Sequence, residues 1–171
     1  MKMNDLAAAL VQTPRTANIH LWSGTGEGPT PQGAFDAALI DGGAANCKRL
    51  RESSLIAPNS RIVCAKPNAA PHGNGQRLFV VISKMQQSRP GRHAHAGIGW
   101  VQRNDDGSGL FIDLHDDTRE RLEHDLHAAF GAIPSLRDPV YGPVQTAFAS
   151  RRCDGLPVCA IVVAAYAREL W

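Results

Sequence analysis

Pro157-Val158-Cys159-Ala160-Ile161-Val162-Val163-Ala164-Ala165-Tyr166-Ala167 carries no charge along its length. A strand with one face in water alternates apolar and polar residues. This run does not alternate, and its centre, Ile161-Val162-Val163, is β-branched. The expectation is a strand buried on both faces. The longest uncharged apolar stretch, 156–167, is too short to cross a bilayer, which takes about 20 residues. A strand covered on both sides needs one layer above it and one below, and the rest of the chain has to supply them.

Working outward, Leu78-Phe79-Val80-Val81-Ile82-Ser83 reads as a second core strand. Residues 19–23, 61–65, 94–101 and 109–114 read as further strands, the last two separated by the turn Asn104-Asp105-Asp106-Gly107. The glycine-rich stretch 24–29 and the Pro/Asn/Gly-rich stretch 66–76 read as loops. Thr30 is a natural N-cap and Pro31 suits the first helical position, predicting a helix over 32–40 with Phe35, Ala38 and Leu39 on one face and Gly42-Gly43 as its stop. A strand is expected over 46–53, ending at Ser53-Ser54 before the turn at Pro58. Asp116, Asp117 and Thr118 then cap a second helix, in which Leu122, Leu126, Phe130 and Ile133 recur at helical spacing until Gly131 and Pro134. Strands and helices interleave, so the class is α/β (α+β) with layered sheets.

The chain has 171 residues, 43% hydrophobic and 20% charged, which suits one folded domain over 1–171. The formal net charge of +2 comes from mixed acids and bases, with no basic block, which argues against nucleic acid. No leader-like pattern is read in residues 1–10, and the expected location is the cytoplasm, with no membrane partner. Cys47, Cys64, Cys153 and Cys159 form no C-x-x-C pair, so free thiols are expected and no metal. His93 and His95 share a strand face but lack a third ligand, and read as an exposed or hydrogen-bonded pair. His124 and His127 read as a solvated helix face, and Trp22, Trp100 and Trp171 as packing residues. The 24–28 glycines lack the spacing of a phosphate loop.

Ser53-Ser54 carries the most specific chemistry. A serine hydroxyl can attack the carbonyl of the residue before it and move the acyl group from nitrogen to oxygen. Elimination from the resulting ester cuts the chain and leaves a dehydroalanine, which hydrolyses to a pyruvoyl cap. A relaxed peptide does not do this; a strained turn and donors aimed at the oxyanion are required. Most serine pairs are ordinary turn residues.

The surrounding residues give the pair its meaning. Gly24-x-x-Glu27-Gly28-x-Thr30-Pro31-x-x-Ala34-Phe35-Asp36-x-Ala38-Leu39 resembles, without a gap, a pattern of the pyruvoyl-dependent arginine decarboxylases. The likeness continues in register through Asn46, Arg51, Ser53, Ser54, Pro58 and Ile62-Val63. Beyond residue 70 it is looser: Gly109-Leu110-Phe111-Ile112-Asp113 resembles a G-L-I-M-E strand, and Cys159-Ala160 with Ala164-Ala165 the closing strand.

The resemblance implies a layered αββα-type sandwich, a homotrimer with active sites between subunits, and cleavage into a β chain 1–53 and an α chain 54–171. Ser54 would become the pyruvoyl group, which does the work of pyridoxal phosphate, so neither that cofactor nor a metal is implied. The implied reaction is α-decarboxylation of an amino acid, arginine to agmatine. Asp36 stands where the family grips the guanidinium, with Leu39 and Cys47 as further substrate contacts. Asp113 stands where the family has its proton-donating Glu, one methylene shorter. Asn46, Lys48 and Glu52 make up the self-processing surroundings. Lys48 replaces the second Asn of an N-x-N run, Glu52 replaces an apolar residue, and Gln32 replaces an apolar pocket residue. These departures leave open a non-cleaving paralogue, or a relative with another substrate.

Overall fold

The computed structural model describes residues 17–45, 47–66, 76–133, 136, 138 and 140–170, with the side chains at 76 and 167–170 excepted. In chain order the elements are β1 (Ala17–Glu27), α1 (Pro31–Asp41), β2 (Cys47–Arg51), β3 (Leu55–Ile56), β4 (Ser60–Cys64) and β5 (Gln76–Gln87). They continue with β6 (His93–Gln102), β7 (Gly109–Asp116), α2 (Arg119–Gly131), β8 (Gln145–Arg152) and β9 (Val158–Leu170). One sheet has five strands in the order β2-β5-β9-β1-β4, the other four in the order β3-β7-β6-β8. β1–β4 and β2–β5 pair in parallel; β9 runs antiparallel to both of its neighbours.

The apolar run becomes β9, and its two faces enter two different cores. Val158, Ala160, Val162 and Ala164 pack between the sheets with Ile19, Leu21 and Val81 from the first sheet and Ala96, Ile98 and Phe111 from the second. Cys159, Ile161, Val163 and Ala165 pack on the other side with Ala34, Ala38 and Leu39 of α1. On the far side of the second sheet, α2 buries Leu122, Leu126 and Phe130 against β6. The stack is helix, sheet, sheet, helix: an α+β sandwich. A doubly buried strand is usual in parallel sheets. Here the strand is antiparallel and is covered because it lies in an inner layer.

Several expectations are corrected. Residues 24–27 are strand, not loop: β1 runs on through Gly24, Thr25, Gly26 and Glu27. The glycines serve close approach. A Cβ on Gly26 would lie 2.3 Å from Ala34 O and from Ala38 N, and one on Gly24 would lie 2.3 Å from Ala38 O. α1 therefore lies directly on the β1 backbone. It begins as expected, with the Thr30 hydroxyl accepting from Gly33 N at 3.0 Å. The strand expected over 46–53 is shorter, and stops at Arg51. β3 and β8 lie where no strand was expected: β3 has two residues, and β8 (QTAFASRR) is mostly half-buried and mixes its polarity. Asn46, Pro134, Trp171 and most of the loop expected over 66–76 lie outside the described residues. Neither helix is long and apolar enough to cross a membrane.

Trp22 and Trp100 are core residues, and His124 and His127 are exposed. All four cysteines are free, Cys64 alone being exposed, and burial pushes the Cys159 thiol up to about 11. His95 is buried on β6, with Nδ1 2.6 Å from Ser150 Oγ and its ring stacked on His93 at 5.4 Å. Burial first, then the charges of His93 and Arg119, lower its pKa from 6.5 against the opposing pull of Glu120 and Asp116.

Two outcomes follow. Gly26→Ala is expected to cost about 3 kcal/mol in urea denaturation, because the new methyl meets backbone that cannot yield without moving α1. The lowered His95 pKa means that the unfolded chain binds more protons at mildly acid pH. The stabilisation is complete above an unfolded pKa of about 6.5 and is lost as pH falls through the folded value. The gap in urea midpoint between about pH 7.5 and about pH 5.5 is expected to narrow in His95→Gln.

Candidate active site

The chain leaves the first sheet at Arg51, the end of its edge strand β2, and enters the second at Leu55, the start of its edge strand β3. Glu52-Ser53-Ser54 is the whole of that crossing. Each of its residues is tied by its backbone. Glu52 N donates to Val80 O at 3.0 Å, and Phe111 N donates to Ser54 O at 2.7 Å. The Tyr166 hydroxyl lies 3.1 Å from both Ser53 O and Leu55 O. Ser53 is exposed and Ser54 half-buried. A three-residue crossing between two paired strands has little room to move, and none of its residues has a positive φ.

Asp113 stands beside this crossing because β7 carries it two residues beyond Phe111, on the same strand face. Its Oδ2 accepts from the Arg51 guanidinium at 3.0 Å, and the same guanidinium reaches Ile82 O at 3.4 Å. Arg51 and Asp113 belong to a cleft of about 500 Å³ whose apolar ground includes Phe35, Val80 and Ile82. Its other polar members are Arg49, Lys84 and His115. Lys84 Nζ lies 4.5 Å, and Arg49 Cζ 5.5 Å, from the centre of the Phe35 ring. The ring face attracts both cations, so the cleft is basic around an aromatic platform, with Asp113 as its one carboxylate among the described residues.

The other residues singled out from the sequence go elsewhere. Asp36 is exposed on α1, where it accepts from Gln32 Nε2 at 3.0 Å, and it does not line the cleft. Leu39 and Cys47 are buried in the core between α1 and the first sheet. Lys48 and Glu52 are exposed, and Asn46 lies outside the described residues. Asp113 thus lines the cleft, and Ser53 and Ser54 lie outside its lining, joined to it through the neighbouring Arg51 and through Phe111, which holds Ser54 O two residues before Asp113 on β7; Asp36, Leu39 and Cys47 have no such link.

Sequence reading missed Arg49, Arg51, Lys84 and Tyr166 as members of the site. For Tyr166 a signal was present. It is the one hydroxyl in the apolar closing run, and a buried phenol needs a partner. Burial, and to a lesser degree the Glu52 charge, raise its pKa well above 10. It remains a neutral donor across the working range of pH.

A family model described as pyruvoyl-dependent arginine decarboxylase matches residues 18–168. The pyruvoyl-dependent arginine decarboxylase of Halobacterium salinarum is 37% identical over 102 residues, which cover 58% of this chain and 61% of that protein. The protein of the same name from Thermoplasma volcanium is 27% identical over 99 residues, 58% of this chain and 54% of the relative. That of Methanopyrus kandleri is 52% identical over 40 residues, 23% and 27% of the two chains. The chain thus matches 61% or less of the length of these relatives.

The Arg51–Asp113 pair is half in water, with side-chain exposures of 70% and 25%. Such pairs contribute little to stability, about 0.2–1 kcal/mol. Arg51→Ala is therefore expected to shift urea-denaturation stability by less than about 1 kcal/mol. A larger loss would make the pair a structural tie and not a feature of the cleft.

Proposed function

Because the chain belongs to the pyruvoyl-dependent arginine decarboxylase family, we propose that it is a self-processing amino-acid α-decarboxylase, a carbon–carbon lyase, whose prosthetic group arises from Ser54. The observation that carries this reading is the crossing itself. The one serine pair of the matched motif lies in a three-residue link between two sheets, its carbonyls held by Tyr166 and Phe111. The surroundings suit a group at residue 54. The Ser54 carbonyl is anchored to β7 on the side away from the Ser53–Ser54 bond, so the anchor does not depend on that bond.

A pyruvoyl ketone at this position would take up the substrate's amine and accept the electrons released as CO₂ leaves. The chain's own residues supply the rest. Phe35 and the aliphatic wall of Val80 and Ile82 exclude water on one side of the cleft. Arg51 fixes the Asp113 carboxyl, the group there that can hold and return a proton. Asp36, exposed and outside its own chain's cleft, suits a homotrimer in which α1 faces a neighbouring copy's site, where a carboxylate can grip a guanidinium. Arginine, the substrate in the names of the relatives, is the leading candidate. The reading takes 1–171 as one domain working in the cytoplasm.

A second substrate class is favoured by one observation. Arg49 and Lys84 flank Phe35 in the cleft, and Asp113, the one carboxylate there among the described residues, already pairs with Arg51. Cations in those positions repel a guanidinium and attract an amino acid with an acidic side chain. The exposed Lys48 and Glu52 motivate a third reading, a paralogue that keeps the scaffold and does not cut.

Denaturing mass analysis of the purified chain is expected to show fragments 1–53 and 54–171, the second beginning with a group blocked to Edman chemistry. A chain that stays whole on prolonged incubation contradicts the decarboxylase reading and favours the paralogue. For the cut protein, ¹⁴CO₂ release from carboxyl-labelled arginine, abolished by Asp36→Ala, is the expected result. Release from glutamate or aspartate instead would assign the acidic class.

A further inference from the structure

We propose that Tyr166 is the oxyanion donor of the self-cleavage reaction, a catalytic residue acting on the Ser53 carbonyl. The inference rests on the reading of Ser53–Ser54 as the cut site. The reaction begins when Ser54 Oγ adds to the carbonyl carbon of Ser53, placing negative charge on Ser53 O. That oxygen lies 3.1 Å from the Tyr166 hydroxyl. The C–N bond then breaks, a C–O ester bond remains, and the hydroxyl proton ends on the freed nitrogen. Loss of the residue-54 Cα proton with cleavage of the Cβ–O bond releases a carboxylate at Ser53. The remaining enamine tautomerises and takes up one water, leaving the ketone and ammonia.

Three features suit Tyr166 to the first step. Its hydroxyl meets the carbonyls on both sides of residue 54, those of Ser53 and Leu55, at the same distance. A phenol has one proton to give. Two neutral carbonyls share it, and charge developing on Ser53 O draws it over, so the interaction strengthens along the reaction path. This differential strengthening is what accelerates a step. The same two contacts span the bend at Ser54. The ring is held on the inner side of β9, edge-on to Phe111 at 6.0 Å, and Phe111 N holds Ser54 O. Burial keeps the phenol protonated, so it is always a donor.

The test follows the full chain from cell-free synthesis, with fragments quantified by denaturing mass analysis. Tyr166→Phe keeps the ring and is expected to slow cleavage at least about 100-fold, with an unchanged melting transition. Hydroxylamine, which cuts esters and spares amides, is expected to release fragments from the wild type and not from Tyr166→Phe, because no ester accumulates. Equal cleavage rates, or equal release by hydroxylamine, overturn the proposal while leaving the cut site standing. An intact wild type overturns both. If Tyr166→Phe fails to fold, difluorotyrosine placed at 166 decides: a stronger donor of similar size is expected to cut at least as fast as wild type, and slower cutting overturns the role.

Discussion

The molecule depends on the burial of β9 on both faces. An inner strand of a four-layer stack meets no water, so each side chain from Val158 to Ala165 has to fill one of two cores. That removes the polar positions by which a strand normally records its orientation. It also fixes the spacing of everything else: even positions set the gap between the sheets, odd positions the distance to α1. Alanine at 160, 164 and 165 keeps both gaps narrow. The missing side chains of Gly24 and Gly26 do the same where α1 rests on β1. Close packing of this kind tolerates little change in volume.

The site is a consequence of that spacing. Two sheets held close together have edge strands near each other, and three residues suffice to pass from β2 to β3. A longer crossing could relax. This one is tied at every residue, by Val80 from the first sheet, Phe111 from the second, and Tyr166 from the strand whose inner face the two sheets share. The cleft beside it takes Arg49 and Arg51 from β2, Lys84 from β5 and, as its one carboxylate among the described residues, Asp113 from β7.

Most of the layer order was legible in the sequence because burial leaves a strong mark on composition. The run 157–167 reads as doubly covered, α2 reads from Leu122, Leu126 and Phe130, and Thr30-Pro31 marks the start of α1. Gly24 and Gly26 were misread because glycine signals two different things, a turn or a close contact, and the sequence does not say which. β8 was missed because its half-buried side chains mix polarity without strict alternation. The matched motif singled out Ser53, Ser54 and Asp113 and also ran through Arg51, but it gave Arg51 no place in the cleft and did not reach Arg49 or Lys84, since that placement depends on where β2 and β5 lie relative to β7, a pairing across the gap that no local pattern encodes. Leu39 and Cys47 fall in the core because the faces that carry them turn inward.

The strand order β2-β5-β9-β1-β4 has a consequence for any break in the crossing. β1, α1 and β2 precede residue 52; β4, β5 and β9 follow residue 54. In the first sheet these two sets interleave, with β1 wedged between β9 and β4 and β2 held on β5. A molecule opened at the crossing is therefore two interdigitated polypeptides, each supplying strands that the other cannot do without. It behaves as an obligate heterodimer assembled from one gene product, and its reassembly after full denaturation is bimolecular and concentration-dependent. The intact chain folds without that dependence. A chain opened at the crossing after folding would keep a structure that its separated halves could regain only by finding each other.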